Sequence, residues 1–303
     1  MPTQKLVECV PNFSEGRRPD VVDAILDRIR SVPEARVVDR QMDASHNRAV
    51  LTFAAPPGAV EEAAFRAMQV ATERIDLRQH QGEHPRMGAT DVVPFIPVTG
   101  VSMADCVGLA RKLGKRVGSE LKVPVYFYEE AATRPTRKNL ADVRKGEFEG
   151  LRDLIGKDPE RAPDEGPQDA IHPSAGATAI GARFFLIAYN VNLESPDVAL
   201  AKEIAKKIRE KDGGFPGIKA MGFFLDDLKV AQVSMNVCNY ELTGLLRVYT
   251  EIEREARARG VGIRESELIG LAPRAALPPA LAPKIRLARF DPKQQIIEEL
   301  IGG

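Results

Sequence analysis

The 303-residue chain is 44% apolar and 28% charged, a balance that suits a globular protein of one large or two medium domains. Lysine plus arginine and aspartate plus glutamate each number 43, so no long-range field draws the molecule to nucleic acid or an anionic membrane, and any anion site must be local. Cys9, Cys106 and Cys238 lie far apart with no C-x-x-C pair, which argues against a disulfide framework or a cysteine zinc site; no apolar leader or membrane-length apolar run is seen, so the cytosol is the expected compartment.

Leu6 to Val10 reads as a short strand entering the loop Pro11-Asn12-Phe13-Ser14-Glu15-Gly16. A helix follows, because Val21, Val22, Ile25, Leu26 and Ile29 recur at helical spacing behind Pro19-Asp20. Arg36 to Asp39 and Ala49 to Ala54 are expected strands around Gln41 to Arg48. Val60 to Ile75 is an alanine-rich helix and Val92 to Val98 a further strand. This order of strand, helix, two strands, helix and strand is the split βαβ pattern of ferredoxin-like domains. A helix over about Met103 to Leu121 and a strand over Pro124 to Tyr128 extend the half. Lys157 to Ser174 is proline-rich and charged, the texture of a connector between domains. The same order then recurs: strand Phe184 to Val191, helix Pro196 to Lys211, strands Ile218 to Leu225 and Val230 to Val237, helix Tyr240 to Arg259, and an apolar run near Leu268 to Leu271. A closing helix is expected around Ile296, Ile297, Leu300 and Ile301.

Only four histidines occur, His46, His80, His84 and His172, and a surface histidine is the ordinary reading of each. His80-Gln81-Gly82-Glu83-His84 matches H-x-x-E-H, in which a helix brings two histidines to one zinc ion. Gly82 weakens a helix there and Pro85 biases His84 away from helical angles, so a loop carrying a solitary base fits better than a metal pair. The segment Gly82 to Phe95 places histidine, arginine and two carboxylates in a stiff turn before an apolar strand, as catalytic loops on rigid scaffolds do. Asn12 to Gly16, Asp43 to Arg48 and Pro173 to Thr178 are further polar clusters, each also explicable as turn chemistry.

Leu6 to Gly16, Gly82 to Pro97, Gly176-Ala177-Thr178 with Gly181-Ala182-Arg183, and Ala231-Gln232-Val233-Ser234 with Asn236 together carry a family likeness. The chain resembles the glutamate formimidoyltransferases, the transferase part of formimidoyltransferase-cyclodeaminase, over nearly its whole length; no cyclodeaminase part is expected. The resemblance implies an α/β (α+β) fold of two ferredoxin-like βαββαβ-type subdomains, residues 1–180 and 181–303, packed around a substrate cleft. It implies transfer of the formimino group from N-formimino-L-glutamate to tetrahydrofolate, a co-substrate, in histidine degradation, with no metal and with a homodimer as the assembly.

His84 matches the family's catalytic histidine, and a neutral imidazole suits a reaction in which one amine loses a proton and another gains one. A carboxylate is expected to orient it, Asp39 or Asp43, between which the sequence does not choose. Arg48 and Arg86 are candidates to clamp the glutamate carboxylates, with a structural ion pair as the alternative for either. Asn12, Ser14, Glu15, Asn47, Gly166, Ser174, Gly176 and Thr178 complete the candidate substrate and folate residues. Some relatives have Pro-Ser-Trp-Gly where this chain has Pro-Ser-Ala-Gly, and Ala175 cannot stack on a pterin. A formyl rather than formimino donor, or a folate-binding module without chemistry, are the rival functions.

Overall fold

Leu6–Cys9 (β1) and Asn12–Phe13 (β2) are two pieces of one strand, split at Pro11, which has no N–H to give a ladder. They open the first of two units in the structure, a computed structural model that describes residues 5–302. Helix α1 (Pro19–Arg30) starts on its proline and buries Val21, Val22, Ile25, Leu26 and Ile29. Strands β3 (Arg36–Asp43) and β4 (Arg48–Ala55), helix α2 (Pro57–Arg74) and strand β5 (Thr90–Thr99) follow. The sheet order β3, β4, β1/β2, β5 is antiparallel throughout, which is the ferredoxin-like arrangement. Helix α3 (Met103–Arg116), fixed by a reciprocal Ser102–Asp105 capping box, leads to β6 (Val125–Glu129). Two short helices, α4 (Leu140–Val143) and α5 (Glu147–Leu154), precede β7 (Thr178–Ala182), which runs parallel between β5 and β6. No strand is expected from Thr-Ala-Ile-Gly-Ala, because its small residues carry no strand pattern.

Alternation along β4 divides the sheet. Ala49, Leu51, Phe53 and Ala55 join the core with α1 and α2, where a fully buried leucine or phenylalanine contributes about 1.5–3 kcal/mol. Arg48, Val50, Thr52 and Ala54 lie on the other face. The register pairs Asp43 with Arg48, Gln41 with Val50 and Asp39 with Thr52, so both candidate carboxylates share that face with Arg48. The β3–β4 ladder is thus longer than the sequence pattern indicates. Its polar residues alternate on a solvent-facing strand, and only Ala44 to Asn47 turn, with Asn47 at φ +47°.

The second unit starts at Phe184 and repeats the order: β8 (Ile187–Leu193), α6 (Val198–Ile208), β9 (Ile218–Leu225), β10 (Val230–Val237), α7 (Leu245–Arg257) and β11 (Ile263–Ile269). Its sheet order is β11, β8, β10, β9, again antiparallel. Strands β9 and β10 coincide with their sequence-based bounds. Asp197 caps α6 through the N–H groups of Ala199 and Leu200. The tail closes with α8 (Pro292–Gln295) and α9 (Ile297–Gly302), tied back by the Ile297 N–H donating to the Ala272 carbonyl. No described helix is long and apolar enough to cross a membrane.

The units meet between Arg183 and Phe184, so the proline-rich stretch Lys157 to Ser174 lies inside the first unit. Its backbone is irregular but fastened. The Asp164 N–H donates to the Val125 carbonyl at 2.8 Å, the Asp164 carboxylate accepts from the Phe127 N–H at 2.8 Å, and it pairs with the buried Arg137. Replacing Asp164 leaves the Arg137 charge uncompensated. Asp164→Ala is therefore expected to lose about 3–5 kcal/mol in urea unfolding and to open this stretch to proteolysis; a loss below about 1 kcal/mol, the range of an exposed pair, would contradict the role.

Candidate active site

The His84 loop is held between two turns. On one side the Glu83 N–H donates to the Ser45 carbonyl, the Asn47 side-chain amide donates to the Gln81 carbonyl at 3.1 Å, and His80 Nε2 meets the Asn47 carbonyl at 2.9 Å. On the other, the Ala89 N–H donates to the Ala175 carbonyl and the Ala177 N–H to the Met87 carbonyl, both at 2.9 Å. Close approach requires glycine: a Cβ on Gly82 would lie 2.3 Å from the His46 carbonyl oxygen, and one on Gly88 1.8 Å from that of Ala177. Residues 80 to 87 are not helical, so His80 and His84 do not present the two-histidine helix face of the zinc motif. Among the described residues no group of three histidine, cysteine or carboxylate side chains is placed to hold a metal ion.

His84, half-buried, accepts a hydrogen bond at Nε2 from Arg48 Nη1 at 2.8 Å. An arginine can only donate, so Nε2 carries a lone pair and the ring is neutral. Burial, then the Arg48 and Arg144 charges, push its pKa down to about 4, opposed by the Pro85 backbone. Behind Arg48 lies the buried Asp91, whose carboxylate pairs with Arg144 and accepts from the Met87 N–H at 2.8 Å. Burial raises the Asp91 pKa, against the Arg144 charge. Four buried polar atoms in this region have no hydrogen-bond partner: Nε of Arg48, Nε of Arg144, and the hydroxyls of Thr90 and Thr178 at the starts of β5 and β7. Unmet guanidinium donors beside a neutral imidazole make a place for a carboxylate next to a base.

The two candidate carboxylates are engaged elsewhere. Asp43 accepts from the His46 N–H at 2.9 Å and meets His46 Nδ1 at 2.7 Å; Asp39 accepts from Gln41 at 2.7 Å and from the Arg40 N–H. His84 thus has a guanidinium as its side-chain partner where a carboxylate is expected from the family resemblance. Arg86 is also committed, forming a two-pronged pair with Glu149, a contact with Glu147 and a bond to His80 Nδ1 at 3.3 Å. It takes the structural alternative open to it and anchors α5 to the loop.

Most of the other candidates build the frame. Ser14 donates to the Gly88 carbonyl at 2.7 Å, Asn47 accepts from the Gly16 N–H at 2.9 Å, and Asn12 donates to the Val10 carbonyl. The Glu15 carboxylate accepts from the N–H groups of Arg17 and Arg18, the entry to α1. Gly166, at φ +85°, packs against Gly118 and the Val123 carbonyl. Ser174 accepts from the Leu77 N–H, and Gly176, at φ +70°, lies against the Met87 carbonyl. The Ala175 side chain belongs to the core, so in this geometry its size bears on packing and not on a ring stacked at the surface.

Arg144 is missed by sequence reasoning, while Asp91 and His46 are counted within the segments Gly82 to Phe95 and Asp43 to Arg48 but given no role there. Asp91 has a signal: a carboxylate at the mouth of the apolar run Val92 to Phe95 needs a cation when buried. Arg144 has none, since Asn139 to Lys145 reads as ordinary charged surface.

The chain matches the formiminotransferase domain, N-terminal subdomain, over residues 6–183 and the formiminotransferase domain over residues 188–282. It is 44% identical to a glutamate formimidoyltransferase of Streptococcus pyogenes over 299 residues, 99% of either chain. It is 48% identical over 288 residues to that of Thermoplasma acidophilum, 94% of either chain. Against the formimidoyltransferase-cyclodeaminase of Rattus norvegicus it is 44% identical, covering 98% of this chain and 60% of that protein. By these matches, which span both units, the chain belongs to the formiminotransferase family.

Proposed function

We propose that this chain transfers the formimino group of N-formimino-L-glutamate to tetrahydrofolate, giving 5-formiminotetrahydrofolate and L-glutamate, with His84 as general acid/base. The observation that carries the reading is the neutral His84 ring whose lone pair is held by Arg48, beside guanidinium donors with N–H groups to spare. The folate amine attacks the amidine carbon, forming a C–N bond, and must lose its proton; the glutamate nitrogen must gain one as its bond to that carbon breaks. A neutral imidazole near a donor edge suits the first step. Arg48 and Arg144 receive a carboxylate of the glutamate part, and Arg48, drawn to that carboxylate, releases Nε2 as a base only when substrate is present. Asp91 holds Arg144 in place for this. The curated relatives' names support the formimino transfer; tetrahydrofolate as acceptor, and a cytosolic homodimer as the working form, are what the family likeness implies.

His84→Ala is expected to keep tetrahydrofolate binding by calorimetry and to lose roughly two to four powers of ten in kcat. Loss of less than about tenfold would remove His84 from the chemistry. Arg48→Met is expected to raise the KM for N-formimino-L-glutamate roughly 10- to 100-fold, the worth of hydrogen bonds to a charged group. It also removes a positive charge that depresses the His84 pKa, so the acid limb of the pH–rate profile moves to higher pH. Because His84 is depressed to about 4 when folded, against about 6.5 unfolded, stability falls as pH drops through that window. His84→Gln should flatten this part of the acid unfolding curve.

A further inference from the structure

His46 stands in the turn that the His84 loop rests on. Its ring and that of His84 meet edge to face, with centroids 6.3 Å apart and planes at 69°. Asp43 grips it twice, through its backbone N–H at 2.9 Å and through Nδ1 at 2.7 Å. This fixes Nδ1 as the end turned to the carboxylate and leaves Nε2 as the working end; no other described residue bonds the ring. The charged groups around the turn are few. Asp43 comes from β3, His84 from the neighbouring loop and Arg48 from β4, while Arg17 and Glu83 anchor the turn through the Ala44 and Ser45 carbonyls. The two rings therefore sit in opposite fields. His84 bonds a guanidinium, which opposes its protonation, and His46 bonds a carboxylate, which compensates the charge of an imidazolium.

We infer that the two proton transfers are divided between these rings: His84 is the base, and the Asp43-held His46 is the acid that protonates the departing glutamate nitrogen. The inference rests on the formimino-transfer reading, keeps His84 as its base and moves the acid step from His84 to a second residue. The folate amine forms its bond to the amidine carbon and passes its proton to His84 Nε2. The bond from that carbon to the glutamate nitrogen then breaks as His46 Nε2–H delivers a proton to that nitrogen. Solvent carries the proton from His84 back to His46, so both rings end as they began.

The test is the kcat–pH profile of wild type, His46→Gln and Asp43→Asn with N-formimino-L-glutamate and tetrahydrofolate. Wild type should give a bell. His46→Gln, at a partly exposed position, should lose about 100-fold or more in kcat together with the alkaline limb, with KM for N-formimino-L-glutamate within about twofold. Asp43→Asn should lower kcat while leaving KM for N-formimino-L-glutamate within about twofold, whereas a merely structural role for the turn would raise KM as well. A His46→Gln enzyme with wild-type kcat and both limbs, or one slowed with both limbs unmoved, overturns the inference alone. A wild type without formimino transfer overturns the functional reading and this inference with it.

Discussion

One contact organises the site: the Arg48 guanidinium donating to His84 Nε2 at 2.8 Å. It requires a neutral imidazole, since a protonated ring has no lone pair to offer. It also places a charge whose natural partner is a carboxylate against the atom proposed to take a proton. Ground-state occupancy of Nε2 by Arg48 costs the base nothing if the substrate's own carboxylate removes it. On the proposed mechanism, base strength and substrate presence are coupled through one side chain.

The fold exists to keep those two residues in register. Arg48 begins β4, whose alternate residues are fixed in the core, so its side chain cannot turn to the helix face without a slip that would expose Leu51 and Phe53. His84 has no such element beneath it. Its loop is located by backbone bonds to the β3–β4 turn and to residues 175 and 177, and by glycines at the two points where backbone meets backbone. A side chain at either point would displace the loop before it touched any ligand. The Asp91–Arg144 pair sits below, buried and costly to break, and keeps a second guanidinium facing the same region.

Much of this was legible in the residues. The helical spacing of Val21 to Ile29 and the apolar runs of β9 and β10 report burial directly, because one face of each element is covered. The order of elements in the second unit and in the first up to β6 followed from such runs, whereas α4, α5 and β7 did not. Gly82 and Pro85 marked a loop, although Gly82 serves a backbone contact with His46 that no local pattern reveals. The remainder depended on contacts far apart in sequence. Asp39 and Asp43 read alike as acidic residues near the Asn47-Arg48 pair, and only the strand register and the His46 ring distinguish them. Arg86 and Arg48 read alike as candidate clamps or structural ion-pair partners. Glu147 and Glu149, some sixty residues on, neutralise the first and leave the second.

The most direct measurement is the 15N NMR titration of His84 in the folded protein, alone and saturated with L-glutamate. If Arg48 and burial hold the ring neutral, Nε2 stays unprotonated down to about pH 4–5, and glutamate shifts the Nε2 resonance as Arg48 leaves it for the carboxylate. A ring that titrates near its ordinary value of about 6.5 and ignores glutamate would contradict that coupling.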